Sequence, residues 1–68
     1  MTIAIVLNGE ERTLDREMSV RELVEHLEIR SPAMAVEIDR KIIRKNDFDT
    51  ARVTDGSKVE IITFVGGG

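Results

Sequence analysis

The sequence predicts an α+β domain in which one helix lies across one face of a mixed sheet, and three observations predict it. Short β-branched runs stand at both ends of the chain, Thr2 to Leu7 and Ser57 to Val65, and such residues favour strands. One segment, Ser19 to Leu27, carries the helical period, with Val20, Leu23, Val24 and Leu27 at i, i+3, i+4 and i+7. Asn8-Gly9 and Asp55-Gly56 mark tight turns where strands reverse.

Taken in order, the first strand runs into Asn8-Gly9, and a second strand of about Glu11 to Asp15 follows, centred on Thr13 and Leu14. Ser19-Val20-Arg21-Glu22 has the form of a capping box, in which the serine oxygen takes a first-turn amide and the glutamate reaches back. Met18 and Leu23 are spaced as a hydrophobic staple. The helix is expected to end near Glu28 or Ile29, because Ser31-Pro32 cannot continue it. Ala33 to Asp39 alternates as a strand, Asp39-Arg40 turns, and Lys41 to Arg44 forms a short strand holding Ile42 and Ile43. Asn46 to Thr50 suits a short helical turn around Phe48, and Ser57 to Val65 is the last strand. Leu23, Leu27, Ile5, Leu7, Val59 and Ile61 are the expected core, since both periods point them inward.

Composition narrows the setting. A chain of 68 residues makes one domain with a small core, and at 3% aromatic content that core is aliphatic. The absence of cysteine excludes a disulfide framework, a cysteine-based zinc site and a cysteine nucleophile, so a reducing cytoplasm is the expected compartment. No apolar stretch approaches the length of a membrane span, and the start lacks the pattern of a secretion signal. Thirteen acidic residues against 10 basic ones, the latter spread along the chain, argue against a nucleic-acid stripe or a membrane patch.

The chemistry-bearing feature is Val65-Gly66-Gly67-Gly68. Glycine has no Cβ, so such a segment threads a slot closed to other residues. Extended, the four residues reach ~13 Å from the last strand. The terminal carboxylate is a poor acyl donor until ATP converts it to an acyl adenylate, from which a sulfur nucleophile displaces AMP. A domain of residues 1–65 with a flexible reactive tail at 66–68 is therefore expected.

A helix that follows one hairpin and crosses to later strands places the first and last strands side by side, parallel, at the sheet centre. This is the ubiquitin-like β-grasp arrangement: a mixed sheet of five strands, or of four long ones, with one helix packed across one face. It leaves the last strand free to project the glycines. On the remaining side of the sheet, Ile62 and Phe64, joined by Ala4 and Val6 of the first strand, are expected as an exposed docking patch.

Over nearly its whole length the chain resembles the ThiS family, the small sulfur carriers of thiamine biosynthesis. The matching pieces are Leu7-Asn8-Gly9-Glu10, the helix from Ser19 to Leu27, Ala35 to Ile43, Asp55 to Ile61 and the glycine end. The chain departs from the family pattern at Arg44, where a proline is frequent, and in having a third glycine. The resemblance implies a carrier, not an enzyme, with no bound cofactor. It implies that an E1-like adenylyltransferase (ThiF-type) activates Gly68 with ATP and magnesium. Sulfur from a cysteine desulfurase then converts the terminus to a thiocarboxylate, and a thiazole synthase (ThiG-type) accepts it. Gly67 is then the bare neighbour on which an active site closes, and Gly66 a flexible extension of the same segment; with the docking patch expected from the strand alternation, the partner-binding residues are Ile62, Phe64, Val65, Gly66 and Val6. The same tail chemistry also serves molybdopterin synthesis, tRNA thiolation or a ubiquitin-like modifier, and a small structural or interaction module whose glycines are accidental is a further, weaker alternative.

Other constellations point elsewhere more weakly. His26 stands four residues after Glu22, a spacing that suits a metal, yet no third ligand is in register. Asn46-Asp47-Phe48-Asp49 lacks the glycine and distal glutamate of a calcium loop. Glu10-Glu11 lie beside a turn with no pocket implied, and Arg40, Lys41, Arg44 and Lys45 form a basic cluster suited to a solvated face or an acidic partner.

Overall fold

A computed structural model describes residues 1–64. The elements are β1 (Ile3–Leu7), β2 (Glu10–Leu14), β3 (Met18–Ser19), α1 (Val20–His26), β4 (Met34–Ile38), β5 (Lys41–Ile43), a 3₁₀ turn (Lys45–Asp47), β6 (Arg52–Val53) and β7 (Lys58–Thr63). Five strands form one sheet in the order β2-β1-β7-β4-β5, and β3 pairs with β6 in a separate two-stranded ribbon. β1 and β7 run parallel, while β1–β2, β4–β5 and β4–β7 are antiparallel. The sheet is thus mixed, with the last strand at its centre, which is the expected β-grasp topology. Among the described residues no helix is long and apolar enough to cross a membrane.

Local chemistry accounts for each reversal. Asn8 (φ 50) and Gly9 (φ 82) sit in the left-handed region at the β1–β2 turn, and Asp39 (φ 51) and Arg40 (φ 71) do the same between β4 and β5, matching the twist that short hairpins need. The capping box forms in full: the Glu22 N–H donates to Ser19 Oγ at 3.1 Å, and the Ser19 N–H donates to Glu22 Oε1 at 2.9 Å. Met18 and Leu23 both lie in the core cluster.

α1 ends earlier than the proline requires. Its C-cap is Leu27, and Glu28 adopts φ 58. The Glu28 N–H then donates to the Glu25 carbonyl at 3.0 Å and the Ile29 N–H to the Val24 carbonyl at 3.1 Å. These two bonds are the Schellman termination. A glycine usually occupies the left-handed position, so Glu28 gave no warning of it.

The core gathers Ile3, Ile5 and Leu7 of β1, Leu14, Met18, Val20 and Leu23 of the helix side, Val36, Phe48, Val53, Val59 and Ile61. Leu27, expected among them, is only partly buried and packs against the cluster's edge, because the helix has closed by that residue. Phe48 lies just beyond the 3₁₀ turn and is buried. The β3–β6 ribbon was not legible as strand, being two residues on each side. It carries the 48–53 segment to the helix start, where the Val20 N–H donates to the Ala51 carbonyl (3.0 Å) and the Arg21 N–H to the Phe48 carbonyl (2.9 Å). Two helix-end amides that would lack intrahelical partners are satisfied in this way.

Candidate functional site

β7 alternates with a period of two, and the buried positions are Val59 and Ile61. Lys58, Glu60 and Ile62 therefore face the side that α1 leaves open. Phe64 follows the strand and continues its pairing, its N–H donating to the Ala33 carbonyl at 3.0 Å. Ile62 keeps 50% and Phe64 54% of their surface exposed. Neither packs under the 46–50 segment, since Phe48 from that segment enters the core on the helix side.

Cross-strand register defines the neighbours on the open face. Ala35 stands opposite Ile62, and Glu37 lies between Glu60 on one side and Ile42 on the other. Ile42 is the most exposed of these apolar side chains, at 73%. Ile62, Phe64 and Ala35 thus form an apolar area toward the C-terminal end of β7, while Ile42 stands level with Glu60, on the far side of Glu37. Val6 shares the face but pairs with Lys58, four positions before Ile62 and so ~13 Å along the strand. Val6 instead lines a shallow hollow of about 310 Å³ with Gly9, Glu37, Arg40, Lys58, Val59 and Glu60. Opposite charges mix in that hollow, so it does not select an ion of one sign.

The strand that carries the tail is braced by side chains at both flanking turns. Asn8 Oδ1 accepts from the Ile61 N–H at 2.8 Å, and Asn8 Nδ2 donates to the Ile61 carbonyl at 3.2 Å. Across the sheet, Asp39 Oδ1 accepts from the Lys58 N–H at 3.0 Å while the Asp39 N–H donates to the Lys58 carbonyl at 2.8 Å. Both residues are in left-handed turn positions, which aim a short side chain back along the neighbouring strand. The turn signal at each was legible in the sequence; the long-range bond was not.

The remaining candidate positions separate. His26 is exposed at the helix end, and no group of three metal-ligating side chains exists among the described residues. Asn46 and Asp47 belong to the 3₁₀ turn, and Asp49 pairs with Arg21. Glu10 and Glu11 are exposed at the start of β2, and Arg40, Lys41, Arg44 and Lys45 are exposed around β5. The tail positions Val65, Gly66, Gly67 and Gly68 lie outside the described residues.

The model of the ThiS family matches residues 5–68. A thiazole synthase of Paramagnetospirillum magneticum is 41% identical over 64 residues, which are 94% of this chain, and the chain spans 20% of that protein's length. The uncharacterized protein ycf40 of Porphyra purpurea is 36% identical over 66 residues, covering 97% of this chain and 93% of its own. Among solved structures, the crystal structure of a thiamine biosynthesis protein, ThiS, from Geobacter metallireducens superposes with a TM-score of 0.85 at 30% identity, covering 97% of this chain and all of that one.

Proposed function

The chain belongs to the ThiS family, and from that membership we propose that it is a sulfur carrier whose C-terminal Gly68 is adenylated and then converted to a thiocarboxylate that supplies the sulfur of the thiamine thiazole. A carboxylate oxygen of Gly68 attacks the α-phosphorus of ATP on an E1-like adenylyltransferase, and pyrophosphate leaves with magnesium. A persulfide sulfur, drawn from cysteine by a desulfurase, attacks the acyl carbon and expels AMP. A thiol then reduces the resulting acyl disulfide and frees the thiocarboxylate. Thiazole synthase is the acceptor. Every catalytic group in this sequence belongs to partners; the chain contributes a reactive end and the surface that presents it.

The observation that carries this reading is a family match that continues through Gly68, on a fold whose central strand leads into the tail. A thiazole synthase that contains a segment 41% identical to this chain supports the choice of acceptor. Ile62 and Phe64, exposed beside the tail, fit the partner surface, with Val65, Gly66 and Gly67 entering the slot, whereas Val6, paired with Lys58, lies outside it.

Incubation with the adenylyltransferase, ATP, magnesium and a persulfide source should replace one terminal oxygen by sulfur, read as intact mass. The variant lacking Gly67 and Gly68 should fold and remain unchanged in mass. Thiolation of that variant would refute the carrier chemistry. Restoration of growth without thiamine, set against restoration of molybdoenzyme activity in strains lacking each carrier, identifies the acceptor.

A further inference from the structure

Thr63 is where β7 outruns its neighbour. In an antiparallel pair the main-chain groups of successive residues point alternately toward and away from the partner. Asp39 N–H to the Lys58 carbonyl and Phe64 N–H to the Ala33 carbonyl place the even-numbered residues of β7 toward β4. The odd-numbered residues therefore point toward β1, and they are met in turn. The Val6 N–H reaches the Ser57 carbonyl at 3.0 Å, and the Asn8 N–H reaches the Val59 carbonyl at 2.9 Å. The Asn8 side chain takes both main-chain groups of Ile61. β1 has by then turned into its hairpin, and among the described residues nothing meets the N–H or carbonyl of Thr63. β4 still covers the other side, with Met34 opposite Thr63. One side of the strand end is sealed, and the other is an open edge in line with β1.

We infer that this edge docks an extended segment of the protein that receives the tail, which adds as a strand beyond the β1–β2 hairpin and pairs with the main chain at Thr63. The inference rests on the carrier reading above and says how the tail is gripped. An unpaired strand edge is a template for a further strand. Reach selects the occupant: Thr63 stands five residues before Gly68, so a segment paired there holds the carboxylate within ~17 Å of itself. Continuity selects it again, because Ile62 and Phe64 flank Thr63 and present exposed side chains to the same visitor. Charge disfavours a second copy of this chain, which has net charge −3 and exposed Glu10 and Glu11 at the bounding hairpin; a segment bearing Lys or Arg fits.

Amide exchange followed by NMR on the ¹⁵N-labelled full chain, alone and with the adenylyltransferase, tests the inference. The Thr63 amide should exchange freely in the isolated protein and slow at least about tenfold in the complex, whereas the Phe64 amide, bonded to Ala33, is protected in both. A synthetic chain N-methylated at Thr63 should fold and bind about tenfold more weakly. A complex that thiolates the tail while Thr63 still exchanges freely overturns strand addition and leaves the carrier reading standing. Protection of Thr63 in the isolated protein, rising with concentration, assigns the edge to a second copy and overturns it too. Absence of both complex and thiolation removes the carrier reading, and this inference with it.

Discussion

Asn8 shows how one side chain can serve two structural tasks. Its φ of 50 belongs to the hairpin turn, and its amide closes the gap that β1 leaves beside Ile61. Asp55 works in the same manner at the other end of β1, its Oδ1 accepting from the Ala4 N–H at 2.8 Å while the Gly56 N–H donates to the Ala4 carbonyl at 2.8 Å. Asn8→Gly keeps the left-handed backbone and removes the amide, so it isolates the bridge. Stability should fall by about 1–2 kcal/mol, as expected when partly buried main-chain groups lose their partners. Denaturant titration of the variant measures this, and the Ile61 amide should lose its exchange protection. An unchanged midpoint would mean that the bridge contributes nothing.

At the scale of the element, the helix start is electrostatic as well as geometric. The Ser19 N–H bond, opposed by desolvation and helped by the Arg16 guanidinium 3.3 Å away and the Ser19 hydroxyl, holds the Glu22 carboxyl below its ordinary value of 4.5. A carboxylate depressed in the folded state binds fewer protons there than in the unfolded chain, so it stabilises the fold at pH above the unfolded value. That contribution declines as pH falls below 4.5 and is gone once pH drops beneath the lowered folded value. Glu22→Gln retains a capping side chain but cannot titrate. Thermal melts between neutral and acid pH should therefore converge for the two proteins as the carboxylate protonates, with the native chain losing more. Parallel curves would assign the acid sensitivity to other carboxylates. The helix end is legible in part: proline at position 32 says the helix must stop, but the left-handed Glu28 that stops it is decided by the chain's need to turn back toward β4.

For the molecule as a whole, the two faces of the sheet divide stability from recognition. Leu23 is fully buried, and Leu23→Ala should cost ~2–5 kcal/mol, a large share of what a small domain has. Phe64→Asp, on the open face, should leave the melting temperature nearly unchanged and weaken adenylyltransferase binding at least about tenfold. A melt paired with a binding titration decides between them. An unfolded Phe64→Asp protein would place that ring in the stability of the fold, and a folded one with native affinity would remove it from the docking surface.

What the sequence determined by itself was whatever a short window encodes. The period of 3.6 between Ser19 and Leu27, the serine and glutamate of the capping box, and the Asn8-Gly9, Asp39-Arg40 and Asp55-Gly56 turns each depend on residues a few positions apart. The alternation that exposes Ile62 and Phe64 is equally local, and a helix crossing one face between a first hairpin and the later strands then puts β1 beside β7, the crossover rule making the two parallel. Tertiary structure alone decided the rest. The β3–β6 ribbon joins residues more than thirty positions apart, too short on each side for any periodicity to register. Parallel register sent Val6 to Lys58 and away from Ile62, a choice that alternation cannot make because every even slip preserves the faces. The open edge at Thr63 arises from the difference between where β1 stops and where β7 stops. Unequal strand ends acquire meaning only when the strands lie side by side.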